Sequence, residues 1–119
     1  MQIKAHLINN KKIAEIISDE FIIQSMEDGG DLVGNIYYQD FGLAIIHEKN
    51  ISPNFFDLKT GIAGEILQKF SNYRIRLAIV GDFSKFESKS MNDFIFESNK
   101  TKHINFVESL AEALEKLSK

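Results

Sequence analysis

The side chains best placed for chemistry lie together in Asn54-Phe55-Phe56-Asp57-Leu58-Lys59-Thr60-Gly61-Ile62-Ala63-Gly64-Glu65. Asp57 is the type of residue that caps a helix, because its carboxylate accepts from amides of the first turn. Thr60 then falls in that first turn, and Gly61 and Gly64, three residues apart, make a small, smooth face. A helix start with few bulky side chains leaves N–H groups open to an anion. The same smoothness would let another helix or a partner protein come close. Each residue also has a plain structural use: Asp57 as a cap only, Thr60 as a surface hydroxyl, Lys59 as a solvated cation, and the glycines as packing positions.

A second group is spread along the chain. Sites in parallel sheets form beyond the carboxyl ends of the strands. That rule puts His47-Glu48, Gly81-Asp82 and residues 50–60 on one side. His47 and Asp82, joined by Asp57, Lys59 and Thr60, would form a small-molecule or anion pocket, or an active site, if the fold brings them together. No spacing supports catalysis or a metal. There is no Walker A, G-x-G-x-x-G, G-x-S-x-G or H-E-x-x-H pattern, and no Cys to act as nucleophile or thiolate ligand. No catalytic residue, metal ligand or cofactor is therefore assigned. His6 and His103 fall in strand-like segments and read as structural. Tyr37-Tyr38 reads as one buried and one half-exposed ring, not as a platform for stacked bases.

The elements that must position these residues follow from periodicity. Ile3, Ala5 and Leu7 alternate with Lys4 and His6, and Asn9-Asn10 separates this segment from residues 12–17, so the chain opens on a β-hairpin. Ser25-Met26-Glu27-Asp28 starts a helix with Met26, Gly30, Val33 and Tyr37 on one face and Ile36 beside them. Gly34 is expected where another element passes close by. Residues 43–47, 75–80 and 104–107 are apolar runs of the kind buried on both faces of a parallel sheet. Leu58, Ile62, Ile66 and Phe70 predict a helix over residues 58–71. Ser90 opens a helix to about residue 99, and Ser109 opens a last one with Leu110, Ala113, Leu114 and Leu117 inward. The order β-β-α-β-α-β-α-β-α predicts an α/β domain over residues 1–119. Its mixed, mostly parallel sheet has about five strands in two or three layers. Residues 49–60 are the longest irregular loop.

Composition excludes several classes. The chain has 119 residues, 17 acidic and 14 basic side chains, a net charge of -3, and 44% hydrophobic residues. That is one globular domain and not a disordered chain. The negative balance argues against nucleic acid as a partner. No window approaches the roughly 18 apolar residues of a membrane span. The start, Met1-Gln2-Ile3-Lys4-Ala5-His6-Leu7, lacks the basic and long apolar regions of a signal peptide, so a cytoplasmic location is expected.

Two resemblances meet at residues 54–65. The run from Phe55 to Phe70, followed by Asn72-Tyr73, resembles a bacterial family filed as domain of unknown function 4180. So do Leu77-Ala78-Ile79-Val80-Gly81-Asp82, Asp93-Phe94 and Glu97-Ser98-Asn99. That likeness implies a family without an established activity. The second is architectural: a hairpin followed by alternating helices and strands is similar to the STAS domain of anti-sigma-factor antagonists. The turn Asp57-Leu58-Lys59-Thr60-Gly61 looks like the D-S-[ST]-G turn of that fold, with one residue more. The resemblance implies that Thr60 takes the phosphoacceptor position and Asp57 the Asp position. Phe106-Val107-Glu108-Ser109-Leu110-Ala111-Glu112-Ala113-Leu114 also looks like the last strand and helix of such domains.

The resulting expectation is a non-catalytic regulatory or protein-interaction module. It would dock an unidentified protein partner around Asp57, Lys59, Thr60, Gly61 and Gly64, with Thr60 as the candidate switch. The alternative is the pocket that includes His47 and Asp82. A homodimer through the small-residue face is a third reading.

Overall fold

Two asparagines turn the chain back on itself within its first dozen residues. Asn9 and Asn10 both take positive φ, at 53° and 63°. Two consecutive left-handed residues are what a two-residue hairpin turn needs, and asparagine tolerates them better than other side chains. The computed structural model describes all residues, 1–119. The hairpin joins β1 (Gln2–Ile8) to β2 (Lys11–Ile17). There follow α1 (Met26–Tyr38), β3 (Leu43–His47), α2 (Ile62–Asn72), β4 (Arg76–Val80), α3 (Lys89–Asn99), β5 (Ile104–Val107) and α4 (Leu110–Leu117).

The five strands lie in the order β1-β2-β3-β4-β5, with β1 antiparallel to β2 and every other pair parallel. Side chains alternate across the sheet. Ala14, Ile16, Ala44, Ile46, Leu77, Ile79, Ile104 and Phe106 face one side, where they meet Leu32, Val33 and Ile36 of α1, Ile66 and Phe70 of α2, and Met91 of α3. Ile13, Ile45, Ala78 and Val107 face the other, against Ala113 and Leu117 of α4. The domain therefore has three layers, with three helices on one side of the sheet and one on the other.

Several local expectations change. The buried face of α1 is Gly29, Leu32, Val33 and Ile36, while Met26 and Tyr37 face water. The apolar stripe is displaced because α1 packs on α2 at Gly29, where a Cβ would run into the Ile66 side chain. Gly34 faces open space, so no element passes close to it. Ser88, not Ser90, caps α3 and accepts from the Met91 amide. His103 lies outside β5 and is exposed. Tyr37 and Tyr38 are both exposed.

The segment read as an irregular loop is mostly ordered turns. It contains 3-10 turns at Glu48–Asn50, Pro53–Phe56 and Leu58–Thr60, and Ile51 bridges to Ile23. Phe55 and Phe56 are buried there, and Phe56 stacks on Phe86 of the β4–α3 connection at 4.8 Å between centroids.

Candidate functional site

The helix read as starting at residue 58 starts at Ile62. Asp57 caps the short 3-10 turn Leu58–Thr60 instead, accepting from the Lys59 amide at 3.1 Å. Gly61 separates that turn from α2 and takes a left-handed conformation, φ 76°. A side chain there is strained, so glycine is required by the backbone and not by packing. The Thr60 hydroxyl holds the turn together. It donates toward the carbonyls of Asn54 (3.0 Å) and Asp57 (2.9 Å) and accepts from the Ile62 amide (3.2 Å). Thr60, Lys59 and Gly64 are exposed, and a Cβ at Gly64 would meet nothing. Asp57, Lys59, Thr60, Gly61 and Gly64 are thus brought together as one surface turn, with the two glycines on it for different reasons.

His47 and Asp82 do not join that turn. None of the four surface depressions is lined by His47, Asp82, Asp57 or Thr60. Asp82 is occupied locally: its carboxylate accepts from the amide and hydroxyl of Ser84 at 3.0 and 2.5 Å. Those bonds hold its carboxyl below the ordinary aspartate range.

His47 belongs to a different constellation, with a residue that periodicity marks only as strand. Glu15 of β2 is 6% exposed, and its two carboxylate oxygens meet Nε2 of His6 at 2.8 Å and Nε2 of His47 at 2.7 Å. Burial pushes the Glu15 carboxyl up, but the hydrogen bonds from His47 and His6 outweigh it and the net shift is downward. An ionised carboxylate only accepts, so both Nε2 atoms donate to it. Register explains the grouping. Glu15 pairs with Ile45 in β3 and with Lys4 in β1, so His47 and His6 are each two residues along on the same face. No group of three His, Cys, Asp or Glu side chains here has a geometry that could hold a metal ion.

Two surface features escape a linear reading. The first is a groove of about 340 Å³ lined by Tyr37, Tyr38, Asp40, Phe41, Gly42 and Tyr73, where α1 and α2 end. Tyr37 and Tyr73 have ring centroids 5.1 Å apart, and Tyr37 and Tyr38 6.5 Å. The second is a pair of adjoining clefts that share Arg76 and Lys102, at the amino-terminal ends of β4 and β5. Helix periodicity puts Tyr37 on the inward stripe, and nothing local links Tyr73 to it. The cations come from three separate parts of the chain. No helix is long and apolar enough to cross a membrane.

No curated protein and no solved structure is significantly similar to the chain. A family model described as "Domain of unknown function (DUF4180)" matches residues 8–117, which hold β2 to β5 and all four helices. The stretches around Phe55-Phe70 and Leu77-Asp82 that carry the sequence likeness lie inside that match, and the chain belongs to the DUF4180 family.

Proposed function

We propose that this chain is a non-catalytic protein-interaction module whose tyrosine groove takes an extended, proline-bearing segment of a partner protein. One observation carries the reading: Tyr37, Tyr38 and Tyr73 are 53%, 87% and 49% exposed and lie side by side. Tyrosine is enriched at the energetic centres of interfaces, because its ring buries a large area with few rotamers and its hydroxyl finds a partner. Aromatic-lined grooves suit polyproline II segments, which arrive already extended and lose little entropy. Asp40, in the groove and in no ion pair, offers a carboxylate to a basic residue of that segment. An arginine-flanked proline-rich peptide should bind the chain and should lose about tenfold in affinity with Tyr38→Ala. Equal binding by wild type and Tyr38→Ala would sink the proposal.

A second reading is regulatory and rests on Thr60. Its hydroxyl proton serves the Asn54 and Asp57 carbonyls, and its oxygen serves the Ile62 amide. Phosphorylation would remove the proton, end both donations and add roughly -1.5 to -2 charges beside Lys59 at the start of α2. The surface turn would then be rebuilt around the phosphate. Mass spectrometry of the protein from its native cells should find a phosphopeptide spanning Thr60. Complete coverage of that peptide in unmodified form only, across growth conditions, would end this reading.

A further inference from the structure

We propose that the cleft between the carboxyl ends of α3 and α4 binds a small phosphate monoester that carries free hydroxyls, of the size of a sugar phosphate. The cleft has a volume of about 230 Å³ and is lined by Arg76, Asn99, Thr101, Lys102, Asn105, Lys116 and Lys119. The adjoining depression adds Arg74 and His103, and neither is lined by an Asp or Glu side chain. Five of the 14 Lys and Arg side chains of an acidic chain thus gather at one place.

Cations near helix carboxyl ends have an ordinary explanation, since they neutralise the free carbonyls there. Here Arg76 and groups outside the cleft do most of that work, which leaves the lysines aside. The Arg76 guanidinium donates to the carbonyls of Lys102 at 2.5 Å and Lys116 at 3.3 Å. Asn9 donates to the Ser118 carbonyl and the Lys11 ammonium to that of Lys119. Lys119 pairs with Glu115 at 3.2 Å. The ammonium groups of Lys102 and Lys116 have no partner of either kind and are free to meet an anion. Arg76 is half-buried and held by two backbone carbonyls, so it is already oriented to bind.

Asn105 supplies an independent observation. It stands in β5 between Ile104 and Phe106 and is 4% exposed. A polar amide in such a position is unfavourable unless it is hydrogen-bonded. Its Nδ2 donates to the Thr101 carbonyl at 3.0 Å. Its Oδ1 accepts no protein hydrogen bond, and the residue lines the cleft. Reversing the amide would set oxygen against the Thr101 carbonyl, so the oxygen is the atom left without a partner. Inorganic phosphate could reach that acceptor only by turning a P–OH away from the cations, whereas a ligand hydroxyl on a carbon frame would fill it while the phosphoryl oxygens meet them. Cations for the phosphoryl group and one unpartnered, water-accessible amide oxygen for a hydroxyl define the proposed ligand class.

Ribose 5-phosphate is the probe, titrated into 15N-labelled full chain and followed by amide shifts. Saturable shifts confined to Arg76, residues 99–105 and 116–119 are expected, with inorganic phosphate binding about tenfold more weakly. The Lys102→Gln, Lys116→Gln double variant changes outward-facing side chains and should fold, and it should lose at least about tenfold in affinity. Asn105→Ala should bring the two ligands close to equal affinity. Absence of saturation, binding unchanged in the lysine variant, or tighter binding of a single-stranded oligonucleotide with a steep salt dependence would each overturn the proposal.

Discussion

The Glu15 carboxylate and the His47 imidazole meet across the β2–β3 pair at 2.7 Å, on the face of the sheet where Ile13 and Ile45 pack against α4. His6 meets the other oxygen of the same carboxylate from β1. One buried charge is thereby satisfied from both neighbouring strands, and it ties the antiparallel edge of the sheet to its parallel part. Glu15→Ala removes the acceptor for two part-buried donors and should destabilise the chain by about 1–3 kcal/mol, read from urea unfolding.

The same group sets a pH dependence. The folded chain holds the Glu15 carboxyl below its ordinary value of 4.5. A depressed folded pKa contributes stability that is fully present above the unfolded pKa and is lost as pH falls through the folded one. Unfolding followed by circular dichroism should therefore show a loss of stability below pH 4.5. That component should be missing in Glu15→Gln. Identical acid limbs for the two proteins would show that Glu15 is not the group responsible.

The two glycines of the surface turn separate by experiment. Gly61 has φ 76°, so Gly61→Ala should cost about 1–2 kcal/mol. Gly64 lies in the first turn of α2 with open space at its Cβ, so Gly64→Ala should stabilise by about 0.5–1 kcal/mol. Thermal unfolding of both variants checks the pair, and equal effects would contradict the assigned backbone.

Much of the fold was legible because each element carries its own period. The five strands, the hairpin at Asn9-Asn10, and the caps Ser25 and Ser109 are local signals and stand where the sequence puts them. Periodicity sets the α2 start too early because Leu58 continues the stripe of Ile62, Ile66 and Phe70, whereas the left-handed Gly61 interrupts the helix. Tyr37 falls on the expected inward stripe because spacing shows which residues share a face but not which face meets the sheet. Contact between Gly29 and Ile66 decides that. The Glu15 clamp and the cationic cleft were invisible for a related reason: strand register and crossovers create both.

Close packing at that helix contact gives a further test. Gly29→Ala should cost about 1–3 kcal/mol through overpacking, and Ile66→Ala, which removes all three atoms the new Cβ would meet, should cost less in that background than in the wild-type chain. Strict additivity of the two substitutions in urea unfolding would mean that they do not touch.

Asn50 joins two connections that are distant in sequence. It is 2% exposed and donates to the carbonyls of Ser18 at 2.8 Å and Glu20 at 2.9 Å. Asn50→Ala leaves both carbonyls without their donor and should cost about 1–3 kcal/mol. Hydrogen exchange should rise at Ile22 and Ser52, whose amides bond across this junction. An unchanged exchange pattern would show that the junction holds without the asparagine.

The chain is well suited to a direct test of the interaction reading, because it contains three tyrosines and no tryptophan, and all three tyrosines line the groove. Intrinsic tyrosine emission therefore reports on that surface alone. An arginine-flanked proline-rich peptide without aromatic residues should change the emission saturably. The change should weaken about tenfold with Tyr73→Ala. Emission that stays flat throughout the peptide titration, or a saturable change in Tyr73→Ala with unaltered affinity, would contradict the groove as the docking surface.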